Sequence, residues 1–159
     1  MKNELTSQFL KSKMSLQAQA CKHGKFEFVQ GASLKAESRN VCDGYGIYLI
    51  YGHYNEHEQL LYIGKSGTVS QDGTMGDQGL RGRLNNKQEG KPRKQYFERL
   101  VSAQDERVGP LEKLCIEWFE TYLVKGEGRE GAPPFLVEAQ LLSAYLADNE
   151  TLPPLNKKA

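Results

Sequence analysis

The chain has 159 residues, a formal net charge of +1 and 38% hydrophobic residues. That length suits one domain around one core, and the composition is that of a globular protein rather than a fibrous or disordered one. No apolar run is long enough to cross a bilayer, and Met1–Leu5 lacks the apolar stretch of a signal peptide. The expected location is therefore cytoplasmic, with no membrane partner. Cys21, Cys42 and Cys115 are too few and too scattered for a disulfide framework, and their spacing with His23 fits no structural zinc site.

From Leu5 to Ala20, the residues Leu5, Phe9, Leu16 and Ala20 recur near helical spacing and predict an amphipathic helix. Gly24 and Gly31 break that pattern. Residues 1–42 read as an N-terminal helical extension on a main domain at 43–159. Lys2, Lys11, Lys13, Lys22, Lys25 and Lys35 outnumber the extension's acids and suit contact with DNA.

Gly46–Tyr51 and Leu60–Gly64 are rich in β-branched and aromatic residues and predict two strands joined by a polar hairpin loop. Strict alternation puts Tyr48 on a face with Gly46 and Ile50, and Tyr62 on a face with Leu60 and Gly64. An antiparallel register brings the two tyrosines together, with Ile47 and Ile63 in the core. His53 and His57 fall in the loop and read as exposed.

Ser66–Gly79, with Gly67, Gly73, Gly76 and Gly79, reads as a loop. Helices are expected at Leu80–Asn86 and Gln95–Gln104, and a third strand at Leu114–Tyr122. Pro133 and Pro134 introduce a helix over Phe135–Ala147. The expected fold is α+β: a small three-stranded antiparallel sheet flanked by helices.

From Arg81 to Arg99 the basic residues Arg81, Arg83, Lys87, Lys91, Arg93, Lys94 and Arg99 are opposed only by Glu89 and Glu98. Such a stripe can hold a phosphate backbone although the whole chain is near neutral. On charge alone a solvated helix face is the better reading.

The order Gly46-Ile47-Tyr48, Tyr62-Ile63-Gly64, Leu80-x-x-Arg83, Glu138 in an apolar helix and a terminal Pro153-Pro154-Leu155-Asn156 resembles the GIY-YIG nuclease family. The resemblance covers about Val41 to Asn156. That family includes repair incision enzymes, homing endonucleases and restriction endonucleases. The resemblance implies the GIY-YIG fold and metal-assisted hydrolysis of a DNA phosphodiester. It assigns Tyr48 as general base or orienter of the attacking water, Tyr62 to the water or the phosphate, and Arg83 to the transition-state charge. Arg81 is Arg83's rival. Glu138 becomes the metal ligand, for Mg²⁺ with Mn²⁺ able to substitute. Asn156 becomes a brace of the active-site side through hydrogen bonds.

Lys65 directly follows the second tripeptide and can meet the scissile phosphate or assist the water. Arg81, Lys87, Lys91, Arg93, Lys94 and Asn156 form the expected DNA-binding set. Lys87 stands where the family often carries a histidine or tyrosine, so the general base stays open. A compact chain without a second DNA-binding domain suits a stand-alone restriction-type enzyme, acting as a homodimer if it cuts both strands. The alternatives are an inactive nucleic-acid-binding module, a repair or mobile-element nicking nuclease, and an RNA nuclease.

Overall fold

A computed structural model describes residues 7–76 and 78–159. The expected helix start at Leu5, and Lys2, lie outside the described residues. The described chain is α+β, with a mainly antiparallel sheet between two layers of helices. In chain order the elements are α1 (Gln8–Gln19), β1 (Lys22–Phe28), α2 (Leu34–Glu37), β2 (Tyr45–Tyr54), β3 (His57–Lys65), β4 (Thr68–Val69) and β5 (Met75–Gly76). They continue with α3 (Leu80–Asn85), α4 (Arg93–Val101), β6 (Lys113–Lys125), β7 (Gly128–Gly131) and α5 (Pro134–Asn149).

The main sheet has five strands, not three. Its order is β1-β6-β2-β3, with β7 paired to the end of β6. The segment read as an N-terminal extension supplies the edge strand β1, hydrogen-bonded to β6 from Lys22↔Glu120 to Phe28↔Leu114. Gly24 weakens a strand by propensity, but the Trp118 ring lies over it, so close that an added Cβ would stand 2.8 Å from the ring. That aromatic cover supplies the packing Gly24 lacks. α1 is docked rather than free. Asp148 of α5 accepts from Ser7 Oγ and from the first backbone N–H groups of α1, satisfying donors that a helix start leaves open. Lys13 pairs with Glu117 of β6 at 2.7 Å.

One sheet face packs Tyr48, Ile50, Leu61, Ile116 and Trp118 beneath α3 and α4. The other packs Ile47, Leu49, Leu60, Ile63 and Phe119 beneath α1 and α5. The β2–β3 pairing slips by one residue between Ile50 and Tyr51. A bulge lets two consecutive residues share a face, so Leu61 joins Tyr62 and Gly64, while Leu60 moves to the opposite face. This overturns the strict alternation expected for β3, yet it leaves Tyr62 beside Tyr48. The expected Ser66–Gly79 loop carries the two-residue strands β4 and β5.

Both tripeptide glycines are required by close approach. An added Cβ on Gly46 would run into the backbone carbonyl of Phe119. One on Gly64 would strike the Tyr48 ring tip, with Oη at 2.6 Å, and the Tyr62 ring at 2.7 Å. Gly64→Ala is expected to cost about 1–3 kcal/mol, the usual range for overpacking. Chemical denaturation should show this as a lowered midpoint at unchanged slope.

Candidate active site

The two tyrosines lie on neighbouring strands with ring centroids 5.9 Å apart. They do not share an environment. Tyr48 has no solvent exposure. Its Oη accepts a hydrogen bond from Arg93 Nη2 at 3.1 Å. Tyr62 instead lines a polar cleft of about 360 Å³, together with Lys65, Gly67, Thr68, Gln78, Arg83 and Glu138. Of the expected catalytic and metal set, Tyr62, Lys65, Arg83 and Glu138 thus converge on one cleft, and Tyr48 sits behind it.

The cleft lies where β3, the sheet-edge strand, meets the start of α5 and the turn of α3. Backbone contacts fix that turn: Leu80 N–H donates to Gly44 O at 2.8 Å and Arg81 N–H to Cys42 O at 3.2 Å. Arg81 then turns its side chain to Val41 O, at 2.9 Å, and to Asp43, at 3.3 Å. It is anchored at the entry to β2 and does not line the cleft. Arg83 faces the cleft, and among the described residues its guanidinium makes no hydrogen bond or ion pair. Of the two arginines, Arg83 is the one that lines the cleft.

Glu138 is half-buried on the first turns of α5. Burial holds its carboxyl above the ordinary glutamate range, partly offset by the Lys65 and Arg83 charges. Among the described residues the carboxylate has no hydrogen-bond partner. A partly desolvated carboxylate without a hydrogen-bond partner can accept a cation. No group of three or more His, Cys, Asp or Glu gathers as a metal cage among the described residues. Mg²⁺ typically takes one or two carboxylates and completes its shell with water and phosphate oxygens. A lone Glu138 beside an open polar cleft fits that mode.

Burial and the neighbouring Tyr48 push the Tyr62 phenol up to about 12, against a hydrogen bond from Gln88 and the charges of Arg93 and Arg83. At neutral pH Tyr62 is a neutral hydroxyl that can donate. It is not a ready base. Gln88, together with the cleft residues Thr68 and Gln78, went unread in the sequence, where glutamines and threonines in glycine-rich stretches carry no distinguishing signal.

Asn156 braces the cleft from behind. Its Oδ1 accepts from Ile63 N–H and its Nδ2 donates to Ile63 O, both at 2.9 Å. Leu155 N–H donates to Leu61 O at 2.9 Å. The tail thereby caps the open edge of β3 on either side of Tyr62. With both ends of its carboxamide engaged on Ile63, Asn156 is the hydrogen-bonding brace expected of it and is not held free for a DNA contact. Asn156→Ala is expected to cost about 1–2 kcal/mol by orphaning the Ile63 amide. Hydrogen exchange at Ile63 should accelerate in that variant.

Arg93 also departs from expectation. The sequence places it among the DNA-facing basic residues, yet it is fully buried and so offers no surface contact. Lys87 and Lys94 are exposed and Lys91 is half-exposed. Glu89, in the same loop, pairs with Arg107 at 3.0 Å and Lys157 at 2.9 Å, which ties this stripe to the C-terminal tail.

A larger groove of about 630 Å³ runs between α1 and α5, but it is lined by serines, glutamines and small apolar residues with no ionisable side chain. It supplies no acid, base or charge for chemistry. No helix among the described residues is long and apolar enough to cross a membrane. No family model, no curated protein and no solved structure matches the chain.

Proposed function

We propose that the chain is a Mg²⁺-dependent endonuclease of the GIY-YIG type that hydrolyses DNA phosphodiester bonds. The observation that carries this reading is the cleft itself, where one half-desolvated carboxylate, Glu138, faces Lys65, Arg83 and the Tyr62 hydroxyl. The two cations outnumber the one acid, which suits a phosphate that arrives with a metal.

Glu138 is the residue that would hold the metal. Bound Mg²⁺ supplies stabilisation of the phosphate oxygens and of the leaving 3′ oxygen. Arg83 presents its donor fork to the charge growing on the phosphoryl oxygens. Tyr62, kept neutral, donates a hydrogen bond from its hydroxyl to a phosphate oxygen or accepts one from the attacking water to aim it. Lys65 holds the phosphate from the far end of β3. Asn156 fixes the strand that carries Tyr62 and Lys65, so these groups need no reordering as the reaction proceeds. Lys87, Lys91 and Lys94 extend the positive surface along the DNA backbone. A restriction-type enzyme with one such cleft per chain would cut both strands as a symmetric dimer.

The test is incubation of purified protein with unmethylated plasmid and phage DNA, with Mg²⁺ or with a chelator. The expected result is metal-dependent cleavage leaving 5′-phosphate and 3′-hydroxyl ends. Discrete fragments would mark a sequence-specific enzyme, nicked circles a nicking enzyme. DNA bound and left intact, with the protein folded, would replace this reading with that of a binding module.

A further inference from the structure

Arg93 is a costly residue where it sits. It is fully buried, and among the described residues no carboxylate pairs with it. Its Nε and Nη1 have no hydrogen-bond partner. Three aromatic rings, of Tyr48, Tyr96 and Phe97, lie 5.5, 5.9 and 5.8 Å from its guanidinium carbon and offset part of the burial cost. Ring faces alone do not require a guanidinium; a methionine would fill the same space without orphaned donors. The bonds Arg93 does make are therefore informative. One nitrogen, Nη2, donates to Tyr48 Oη at 3.1 Å and to the main-chain oxygen of Arg83 at 3.3 Å.

We propose that Arg93 is a positioning residue for the cleft: by holding the Tyr48 hydroxyl and the backbone of Arg83 on one nitrogen, it sets the spacing between the tyrosine pair and the transition-state arginine. This rests on the nuclease reading. Arginine has no acceptor and stays charged, so Tyr48 Oη must be the acceptor in their bond and Arg93 cannot take a proton from it. The role is one of geometry and charge, not of general base. Tyr48 in turn touches Tyr62 ring to ring and fills the space left by the missing Cβ of Gly64. A shift of the Tyr48 ring is therefore passed to Tyr62, which lines the cleft.

The test compares wild type with Arg93→Met, Arg93→Lys, Tyr48→Phe and Tyr48→Phe/Arg93→Lys. The readouts are single-turnover cleavage at saturating DNA, DNA affinity in Ca²⁺, and thermal stability. Arg93→Met is expected to melt no lower than wild type and to bind DNA equally, yet to cleave about 10²-fold more slowly, the scale of a misplaced catalytic group. Arg93→Lys, which keeps the charge and one donor, should recover part of that loss. Tyr48→Phe/Arg93→Lys should lose less than the two single losses combined, because the Tyr48 bond is shared by both variants while the hold on the Arg83 backbone is lost only with Arg93. If Arg93→Met does not fold, the Lys variant and the cycle decide the matter. Wild-type rates in folded Arg93→Lys and Arg93→Met, an unaffected Tyr48→Phe, or additive losses in the cycle would each overturn the proposal. Cleavage by wild type with Arg93 variants unaffected removes only the role of Arg93. No cleavage by wild type removes the nuclease reading and this inference with it.

Discussion

Arg83→Ala is expected to lower single-turnover DNA cleavage by about 10³-fold, the range seen when one preorganised transition-state donor is lost. DNA affinity should change little, because Lys87, Lys91 and Lys94 remain to neutralise phosphates. The reason lies in the contrast with Arg81. Arg81 spends its guanidinium on Val41 O and Asp43, whereas Arg83 lines the cleft with no guanidinium partner among the described residues. Arg81→Ala should therefore loosen the junction between α3 and β2 and lower stability, with a much smaller effect on the chemical step. Arg83→Lys should remain far below wild type, since a point charge does not reproduce a planar fork. Equal losses in Arg81→Ala and Arg83→Ala, at equal stability, would contradict this assignment.

Glu138→Gln is expected to abolish cleavage while raising thermal stability. Burial lifts the Glu138 carboxyl above its ordinary range despite Lys65 and Arg83. Its folded value therefore exceeds its unfolded value, and the folded state binds the proton more tightly. The charged form thus burdens the fold. That burden is absent below the ordinary glutamate range, grows as pH rises through the raised value, and is fully present above it. The melting-temperature gain of Glu138→Gln should be largest at neutral pH and vanish at strongly acidic pH. Mg²⁺ together with DNA should narrow or reverse the difference, since only the wild type gains the linked binding energy. A variant that melts lower than wild type at neutral pH would show that Glu138 is a stabilising surface charge and not a held-back ligand. Sites that trade stability for chemistry are a general expectation for enzymes.

Much of the fold was legible because its signals are local. The β2 run of tyrosines and isoleucines, the proline-led α5 and the apolar β6 each declare their period or propensity. The strand β1 was not legible. Lys22-His-Gly-Lys-Phe-Glu-Phe28 alternates, but Gly24 and its charges hide the pattern, and the compensating cover comes from Trp118, far along the chain. The face assignment of Leu60 and Leu61 failed for another reason: a bulge is a property of strand pairing, not of one strand. The resemblance groups Tyr48, Tyr62, Lys65, Arg83 and Glu138, and the fold brings the last four to one cleft with Tyr48 behind it. Arg93 was misread as surface charge because it stands in a basic run. A signal was present, since Arg93, Tyr96, Phe97 and Leu100 share one helical face in the i, i+3, i+4, i+7 pattern of a core stripe. Starting the helix at Gln95 left Arg93 outside that stripe.

The most direct test of the proposed site is cleavage of unmethylated phage DNA across a Mg²⁺ titration, with wild type beside Glu138→Gln at matched folded concentration. The expected result is metal-dependent cleavage by wild type and none by Glu138→Gln at any Mg²⁺ concentration, with both proteins folded and binding DNA. Equal cleavage by the two proteins would contradict the assignment of Glu138 and, with it, the cleft as the active site.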